Sequence, residues 1–426
     1  MHFKIITLLF FGLLFNQSLL NRAIGAEYFF SDAKSLSMGL TNSLNSNSSY
    51  LARTNPSLLP NKSKSIDFKG NLSMIRERRS ILVKDYFGDF LTYADYVNND
   101  NQYFNYQFGY MQNYTFESAP SNKIGFGLNF SPLASFNYKY IEEVRGSASV
   151  EDGEVGTKDP IVGFHNFETS GSLKNLTFGF GYSANKLNFG FSYNKILNSE
   201  IETDIHVDSL TTEIQNISNI QDFSSKQKFK NLTGFYTLAL SYNTNEYLFS
   251  FVYEPELKIN EGDAPDFNNN IISYIDSSLN TFKEFGLNYY KPQKLNFGFS
   301  YNPITNRSLT VSFEYEKNNF DNNATILKNH SFYKLGFEYI LPSLNPVRAG
   351  LVYQTSPISF IPDQSIITFG SAYKYNNFIC DFAFSYTIFD YYYPDLFSLD
   401  NIQNDSYDKI SESKLNLLFT FKYLIK

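Results

Sequence analysis

Strict alternation of apolar residues with small or polar ones is the feature that most limits what this chain can fold into. The alternation begins near residue 65 and recurs to the C-terminus, as where Phe126 and Leu128 flank Gly127. A period of two places successive side chains on opposite faces of a β-strand. The sequence therefore predicts a chain built mainly of β-strands. The clearest rows are residues 124–130, 176–182, 187–193, 247–253, 295–301, 309–315, 335–339 and 417–425.

Two details favour a membrane barrel over an extracellular β-sandwich or propeller, which is the alternative for the same alternation. Most apolar rows end in Tyr, as expected of an aromatic girdle at a membrane surface. The opposite face carries Gly, Ser, Asn, Glu and Lys, including Glu314 and Glu316. In a β-sandwich, one face of each sheet must pack against the other sheet without water between them. Aromatic residues make up 18% of the chain, with 44 Phe and 33 Tyr, which is more than a soluble core requires. The row-ending tyrosines are Tyr182, Tyr193, Tyr253, Tyr301, Tyr315 and Tyr339.

Beyond the N-terminus, no stretch of the sequence could span a bilayer as a helix, which needs about 20 apolar residues. Within hydrocarbon, only helices and closed barrels satisfy all their backbone hydrogen bonds. If the mature chain lies in a membrane, it must close into a barrel. We therefore predict an all-β fold, a transmembrane antiparallel β-barrel.

The N-terminus predicts export. An apolar run from residue 5 to residue 15 follows Lys4 and precedes Ala23-Ile24-Gly25-Ala26, where small residues would admit a signal peptidase. We predict a signal peptide at residues 1–26, cleaved after Gly25 or Ala26. No Cys lies at this junction, which argues against a lipid-anchored lipoprotein. An uncleaved anchor is the alternative, but the run is shorter than a spanning helix needs.

Composition argues against several other classes. The net charge of −7 is modest and spread along the chain, so no nucleic-acid partner is predicted. Cys380 is the only cysteine, which excludes a disulfide within the chain, and no two of the four His are spaced i,i+4; neither a metal site nor a cofactor is predicted. His165, His206 and His330 lie in loop-like contexts without a nucleophile motif, so no catalytic residue is assigned and the chain is predicted not to be an enzyme.

The segment before the alternating region has a different character. Residues 31–64 show little period-two signal, and they are too apolar for a free tail and too irregular for a strand. We predict that residues 27–64 form a plug inside the lumen, followed by the barrel at residues 65–426. Polar segments at residues 142–168, 204–226, 260–278 and 391–411 are predicted outer loops.

Several short motifs together resemble the FadL/TodX superfamily of outer-membrane transport proteins, with its PorV-like relatives. Asn55-Pro56-Ser57 stands where that family has Asn-Pro-Ala, after Met38-Gly39-Leu40 near the Gly-rich start. The most specific match is residues 346–357, in which Arg348-Ala349-Gly350 is followed by an aromatic-containing strand and then by Ser356-Pro357. The chain departs from the family at Ser57, at Lys426 in place of a final aromatic, and at residues 42–47, which are Asn- and Ser-rich instead of Asp-rich.

The resemblance implies a fold, a location and partners. It implies about fourteen strands with an N-terminal hatch that includes Asn55 and Pro56, in the outer membrane of a Gram-negative-type envelope. It implies transport of hydrophobic small molecules, such as long-chain fatty acids, through a gap in the barrel wall. The partners would be outer-membrane lipid, the hydrophobic ligand and, during insertion, the barrel-assembly machinery.

Two other functions remain open at the level of sequence. One is a PorV-like component of a protein secretion apparatus, which would have a shallow hatch and protein-facing outer loops. The other is a structural or adhesive surface barrel, whose lumen would be blocked by side chains. An apolar pocket continuous with a gap in the wall would favour transport.

A lateral gap needs a strand that breaks its ladder, and Pro cannot donate a ladder hydrogen bond. Pro132, within an otherwise alternating stretch, is the candidate kink; the alternative is a strand end or an outer loop. Arg53 and Arg348 are candidates to bind the carboxylate of an amphiphilic ligand. The alternative is that each is a structural pairing residue. Residues 76–79, Arg-Glu-Arg-Arg, are interpreted as a solvated strand end or a lipid headgroup contact. The segment at residues 76–113 can be divided into strands in more than one way.

Overall fold

The computed structural model describes residues 26–27, 31–145, 161–197, 200–210, 222–229, 232–260, 275–276, 281–282, 288–320, 328–358, 361–393, 397 and 407–425. The predicted signal peptide lies outside these ranges except for Ala26, and so does Lys426. Parts of all four predicted outer loops are also outside them. Strands β1 to β23 and helices α1 to α3 are numbered in chain order.

The strands are β1 (Ala26–Glu27), β2 (Ser65–Lys84), β3 (Phe90–Phe116), β4 (Ala119–Ser135), β5 (Tyr138–Arg145), β6 (Ile161–Ser170), β7 (Ser172–Ala184), β8 (Leu187–Leu197), β9 (Glu200–Ser209), β10 (Phe223–Lys228), β11 (Phe235–Asn243), β12 (Tyr247–Glu254), β13 (Leu257–Asn260), β14 (Ile275–Asp276), β15 (Thr281–Phe282), β16 (Asn288–Lys291), β17 (Gln293–Tyr301), β18 (Leu309–Asn319), β19 (His330–Ile340), β20 (Pro346–Gln354), β21 (Gln364–Tyr375), β22 (Phe378–Tyr393) and β23 (Asp408–Leu424).

Fourteen of these strands form one closed antiparallel barrel. Each strand pairs with its neighbour in sequence order, β2 pairs with β23, and β4 pairs directly with β7. The barrel consists of β2, β3, β4, β7, β8, β11, β12 and β17 to β23. The predicted transmembrane antiparallel β-barrel is therefore confirmed. Residues 76–113 belong to a single long hairpin, formed by β2 and β3.

The period-two sequence pattern sets the two faces of the wall. On β8, Phe189 and Phe191 point outward and are 50% and 47% exposed, while Asn188, Ser192 and Asn194 are buried on the inner face. A soluble sandwich would bury the aromatic row. The wall instead presents its apolar side chains outward and its polar side chains inward, which is the arrangement of a barrel in lipid.

Tyrosines lie at both ends of the outward apolar rows. Along one level of the ladder, Tyr315 packs against Tyr333 at 5.2 Å and Tyr333 against Tyr353 at 6.2 Å between ring centroids. At the opposite level, the rings of Tyr247 and Tyr301 stack at 5.1 Å. The predicted girdle is thus a pair of belts with Phe and Leu between them, as expected for a bilayer-spanning band.

The connections differ in length at the two ends of the barrel. At the inner end, the strands are joined by the short connections 117–118, 185–186, 244–246, 302–308, 341–345 and 376–377. At the outer end lie the long connections 136–171, 198–234, 255–292 and 394–407, together with 320–329, 355–363 and the tip of the β2–β3 hairpin at 85–89. This asymmetry is that of short periplasmic turns and longer extracellular loops.

The N-terminal segment, residues 31–64, contains short helices: α1 (Ala33–Ser37), α2 (Asn42–Asn45), α3 (Leu51–Thr54) and the 3-10 helix Pro56–Asn61. Asp32 caps α1 by accepting the backbone N–H of Ser35 at 2.9 Å. None of the helices among the described residues has the length and apolar composition that a membrane span requires.

A four-stranded sheet, ordered β10-β9-β6-β5, stands at the outer end of the barrel. Its inner face packs on the wall through Tyr138, Tyr140 and Phe167, which share one buried cluster with Phe389 and Ile410 of the wall. The predicted outer loops thus contain strands that extend beyond the apolar band. We call this sheet the cap.

Candidate functional site

The N-terminal segment lies directly against the inner face of the wall. A Cβ added to Gly190 would stand 2.1 Å from the backbone nitrogen of Ser57, and one added to Gly350 would stand 2.1 Å from that of Gly39. Only glycine permits such an approach of two backbones. The backbone of the segment makes contacts of this kind with β4, β7, β8, β19 and β20, and its side chains meet glycines of β3, β17 and β21.

Carboxylates of the wall hold the segment in place. Glu314 accepts hydrogen bonds from the backbone nitrogen of Ser43 at 2.9 Å and from its hydroxyl at 2.7 Å. Asp67 binds the same two groups of Ser49, at 2.7 and 2.8 Å. Passage straight down the lumen would require these contacts to separate.

The motif residues Asn55 and Pro56 shape the turn between α3 and the 3-10 helix. Both are buried, and the Asn55 amide donates to the Ser43 carbonyl at 2.6 Å while its carbonyl oxygen accepts from the Ser57 hydroxyl at 2.5 Å. Pro56 opens the 3-10 helix, where a backbone N–H is not needed. The carbonyl oxygen of Pro56 lies close to Gly181 of the wall.

Strand β4 leaves the regular wall near Pro132. Its residues alternate between buried and outward-facing up to Phe130, but every residue from Ser131 to Ser135 is buried. The β4–β7 register shifts between Pro132 and Ala134, which is the geometry of a β-bulge. Burial of both faces means that this strand end lies inside the molecule and not in the lipid-facing surface.

The ladder between β3 and β4 stops at the same place. Its outermost pair is Phe108 with Phe130, although β3 continues outward to Phe90. The end of β4 pairs on that edge with β1, whose Ala26 and Glu27 stand opposite Ser135 and Ala134. A break in backbone pairing between two wall strands therefore adjoins the candidate kink.

The displaced end of β4 packs into a buried apolar cluster, which we call the inner cluster. It draws on wall strands, on the long connections of the outer end and on β16. Its members are Leu133, Ala134, Phe136, Leu173, Ile196, Ile201, Phe229, Phe235, Ile259 and Tyr289. It is an apolar region continuous with the broken ladder.

Two cations border the inner cluster at Phe235. The Arg53 guanidinium lies 5.9 Å from the ring centroid of Phe235, and the ammonium of Lys291 lies 4.5 Å from it. Lys291 also pairs with Glu254 at 2.8 Å. All three charged residues are at least nine-tenths buried. Arg53, Lys291 and Glu254 thus form a buried charged group at one edge of the cluster.

Arg348 lies elsewhere and is engaged by the wall. Its Nε is 2.6 Å from Glu338 and its Nη1 is 2.6 Å from Asp381. Glu338 also binds Lys34 of α1 at 3.0 Å. This geometry is that of a structural pairing residue, which is the alternative to binding a ligand carboxylate.

The structure thus brings Pro132 and Arg53 to one cluster and leaves Arg348 apart. Lys291, Glu254 and Phe235 were not identified from the sequence. Lys291-Pro292 just before a strand was a signal in the sequence, but the position of Lys291 and Arg53 beside the same Phe235 ring depends on a fold that brings distant segments together. Within the described ranges, no group of three or more His, Cys, Asp and Glu side chains could hold a metal ion.

No protein-family model matches this chain, and neither does any curated protein sequence. Among solved structures, a FadL homologue from Pseudomonas aeruginosa matches with a TM-score of 0.59 and 12% identity, over 94% of this chain and 100% of that chain. The toluene transporter TodX from P. putida matches at 0.54 and 14%, over 92% and 98%. The toluene transporter TbuX from Ralstonia pickettii matches at 0.51 and 14%, over 93% and 98%. The chain therefore has a FadL/TodX-like fold.

Proposed function

We propose that this barrel, with its FadL/TodX-like fold, is an outer-membrane channel that passes hydrophobic small molecules sideways through its wall beside β4. The observation that carries the proposal is the inward end of β4, buried on both faces in the inner cluster where the β3–β4 ladder stops. An apolar molecule on that cluster is next to the break.

The N-terminal segment supports the lateral direction, with residues 27–64 acting as the hatch. Its backbone touches the inner face at Gly190 and Gly350 and donates hydrogen bonds to Asp67 and Glu314. A molecule that leaves through the wall does not require any of these contacts to open. This route also delivers an apolar molecule directly to lipid, and the transfer of apolar surface from water to lipid is favourable.

The likeness to transporters of apolar molecules agrees with this substrate class. Two matched structures are of toluene transporters, and a third, at a TM-score of 0.51, is of the monoaromatic hydrocarbon channel CymD. For the present chain we propose an apolar molecule that carries one anionic group, such as a long-chain fatty acid. Arg53 and Lys291, which border the inner cluster, would receive the anion, and Phe235 would contact the apolar body.

The first test is native mass spectrometry of the detergent-extracted protein, followed by identification of the extracted lipid. We expect a stoichiometric apolar acid that is lost in Arg53→Ala and retained in Arg307→Ala. Arg307 is the matched control because it is exposed in an inner-end turn, where it binds backbone oxygens. A barrel empty of lipid that instead retains a protein partner would contradict transport and favour a secretion-associated role.

The second test addresses the route. In cells that depend on this protein for uptake of the same acid, Pro132→Ala is expected to slow uptake, because an added N–H lets the strand end rejoin a regular ladder. Pro342→Ala, in an exposed inner-end turn, is the control. Equal uptake by the wild type and Pro132→Ala would contradict the role of Pro132 in the exit.

A further inference from the structure

Two lysines lie on the lipid-facing side of the wall, on the neighbouring strands β7 and β8. Lys174 and Lys195 belong to the outward rows that contain Phe178 and Phe191, because the residues on either side of each lysine are buried on the inner face. Each lysine is at least partly exposed. In both rows the apolar side chains therefore give way to a lysine at the outer end of the strand.

These lysines stand just beyond the outer belt of tyrosines. Tyr193 precedes Lys195 by two residues, which is about 7 Å along a strand. Tyr193 lies opposite Tyr236 of β11, whose ring centroid is 6.4 Å from that of Tyr253. The tyrosines of such a belt lie where the hydrocarbon meets the lipid headgroups. The ammonium groups further out are therefore at the level of the headgroups of the outer leaflet.

The two lysines are also close to each other. Lys195 stands opposite Leu176 in the β7–β8 ladder, and Lys174 is two residues from Leu176 on the same face of β7. Diagonal neighbours of this kind lie about 7–8 Å apart, which is within reach of long side chains. Both ammonium groups can therefore contact one anionic group placed between them.

The chain supplies no counter-charge for this pair among the residues that the structure describes. Neither lysine forms an ion pair or a side-chain hydrogen bond with any of them. Strands β4, β7, β8 and β11 contain Lys123, Lys174 and Lys195 but no Asp or Glu. On β2, β3, β22 and β23, by contrast, the outward cations are paired: Arg76 with Asp100 at 2.5 Å, Arg78 with Asp95 at 3.6 Å and Lys409 with Asp390 at 3.0 Å.

We propose that Lys174 and Lys195 bind the headgroup of a phosphate-bearing anionic lipid in the outer leaflet. Lysine is a common phosphate binder, and anionic lipids attract basic residues at the surface of a membrane. The acyl chains of the same lipid would lie along the apolar rows, against Phe178 and Phe191. This continuity between the apolar rows and the lysines favours a lipid over a soluble anion. Because Lys174 stands opposite Pro132 in the β4–β7 ladder, the lipid would lie beside the displaced end of β4.

The test is a titration of the intact detergent-solubilised protein with dioleoyl phosphatidylglycerol or dioleoyl phosphatidylcholine, followed by native mass spectrometry. The two lipids have the same acyl chains, but only phosphatidylglycerol has a net negative charge, and we expect it to bind more tightly. Lys195→Gln is expected to weaken its binding about fivefold, and Lys174→Gln with Lys195→Gln about 25-fold, the effect of one and two basic residues at a membrane surface. Phosphatidylcholine binding should change little in either variant.

Lys317→Gln is the matched control. Lys317 is also exposed and follows Tyr315 of the outer belt by two residues, but it stands opposite Leu295 and Ser331 and has no second lysine beside it. It is expected to leave phosphatidylglycerol binding near the wild-type value, and Lys195→Arg, which keeps the charge, should do the same. The folded state of each variant is verified by its heat-modifiable gel migration.

Three outcomes would overturn the proposal. The first is unchanged phosphatidylglycerol binding in the double variant, and the second is an equal loss in Lys195→Gln and Lys317→Gln, which would show an effect of overall charge. The third is tighter lysine-dependent binding of oleate, since the occupant would then be a fatty-acid carboxylate. Arg53→Ala is expected to leave phosphatidylglycerol binding intact, so this site and the proposed transport route are tested separately.

Discussion

At the scale of single residues, the inner face of the barrel contains paired charges as well as small polar groups. Lys334 lies between Glu314 and Glu316, at 2.7 and 2.6 Å. A charge removed from water is costly unless a partner and hydrogen bonds replace its hydration. Removal of one member of such a group is therefore expected to cost more than removal of an exposed charge.

Arg348 gives the sharpest form of this expectation. Arg348→Ala would leave Glu338 and Asp381 buried without their shared cation, a change that costs about 3–5 kcal/mol in comparable cases. We expect a marked loss of stability, measured as the temperature at which the folded gel band disappears. Arg307→Ala, at an exposed turn, should have little effect. Equal stability of the two variants would show that Arg348 is not a structural pairing residue.

Asp32 links stability of the N-terminal segment to pH. Burial raises the pKa of this carboxyl, but the positive charge of Lys69 and hydrogen bonds from Ser35, Ser46 and Asn47 outweigh it and lower the pKa to about 2. The folded pKa lies below the unfolded value of 3.8. The ionised Asp32 carboxylate therefore stabilises the folded segment above pH 4, and this stabilisation is lost as pH falls toward 2. A shift of this size corresponds to about 2 kcal/mol.

Asp32→Asn is therefore expected to ease local opening of residues 31–49 at pH 7. The measurement is hydrogen exchange of these amides by mass spectrometry, with the wild type and variant compared at each pH. The difference between them should shrink between pH 4 and pH 2, as the wild-type carboxyl becomes protonated. A difference that stays constant over that interval would argue against an ionised Asp32.

At the scale of elements, the β2–β3 hairpin extends well beyond its neighbours. The β2–β23 pairing ends at Ser80 opposite Lys409, and beyond it both faces of the hairpin are open. At the tip, Tyr86 and Phe87 are 97% and 86% exposed. The part beyond Ser80 therefore contributes little to the closed wall.

Replacement of residues 81–94 by a two-residue Asn-Gly turn is expected to leave the barrel folded. The shortened hairpin would still pair Ser80 with Asp95, and Asn-Gly favours a tight hairpin turn. Far-UV circular dichroism and heat-modifiable migration should match the wild type after correction for length. Failure to fold would mean that the tip is needed during assembly.

Much of the wall could be predicted from sequence, because strand alternation is a local property. Rows 176–182 and 187–193 form β7 and β8, joined by the two-residue turn Asn185-Lys186. The site was less predictable. The inward path of β4 after Phe130 depends on Phe235 and Tyr289, which are distant in sequence, and the partners of Arg348 lie on two other strands. The glycines that recur on the inner face were a signal in the sequence, because a wall that only contacts water on that face does not require glycine there.

At the scale of the whole molecule, the N-terminal segment and the wall fit as two complementary surfaces. Gly190→Ala would place a methyl group against the Ser57 backbone, which cannot move aside as a side chain can. We expect the segment to be displaced and the conductance of single barrels in planar bilayers to rise. Gly70→Ala, which meets only the end of the Phe104 ring, is the control. Equal conductance in the two variants would contradict a lumen closed by this segment.

The pairing of β2 with β23 has a consequence for the order of events in assembly. This seam joins Ser65 to Leu424 and Ser80 to Lys409, so it unites the two ends of the barrel sequence. Contacts between such distant parts form slowly, and until they form the sheet has two open edges that invite wrong pairing. The predicted barrel-assembly machinery would act in this interval. Because residues 31–64 lie against the inner face of strands on both sides of the lumen, we expect them to take their place while the wall is still open.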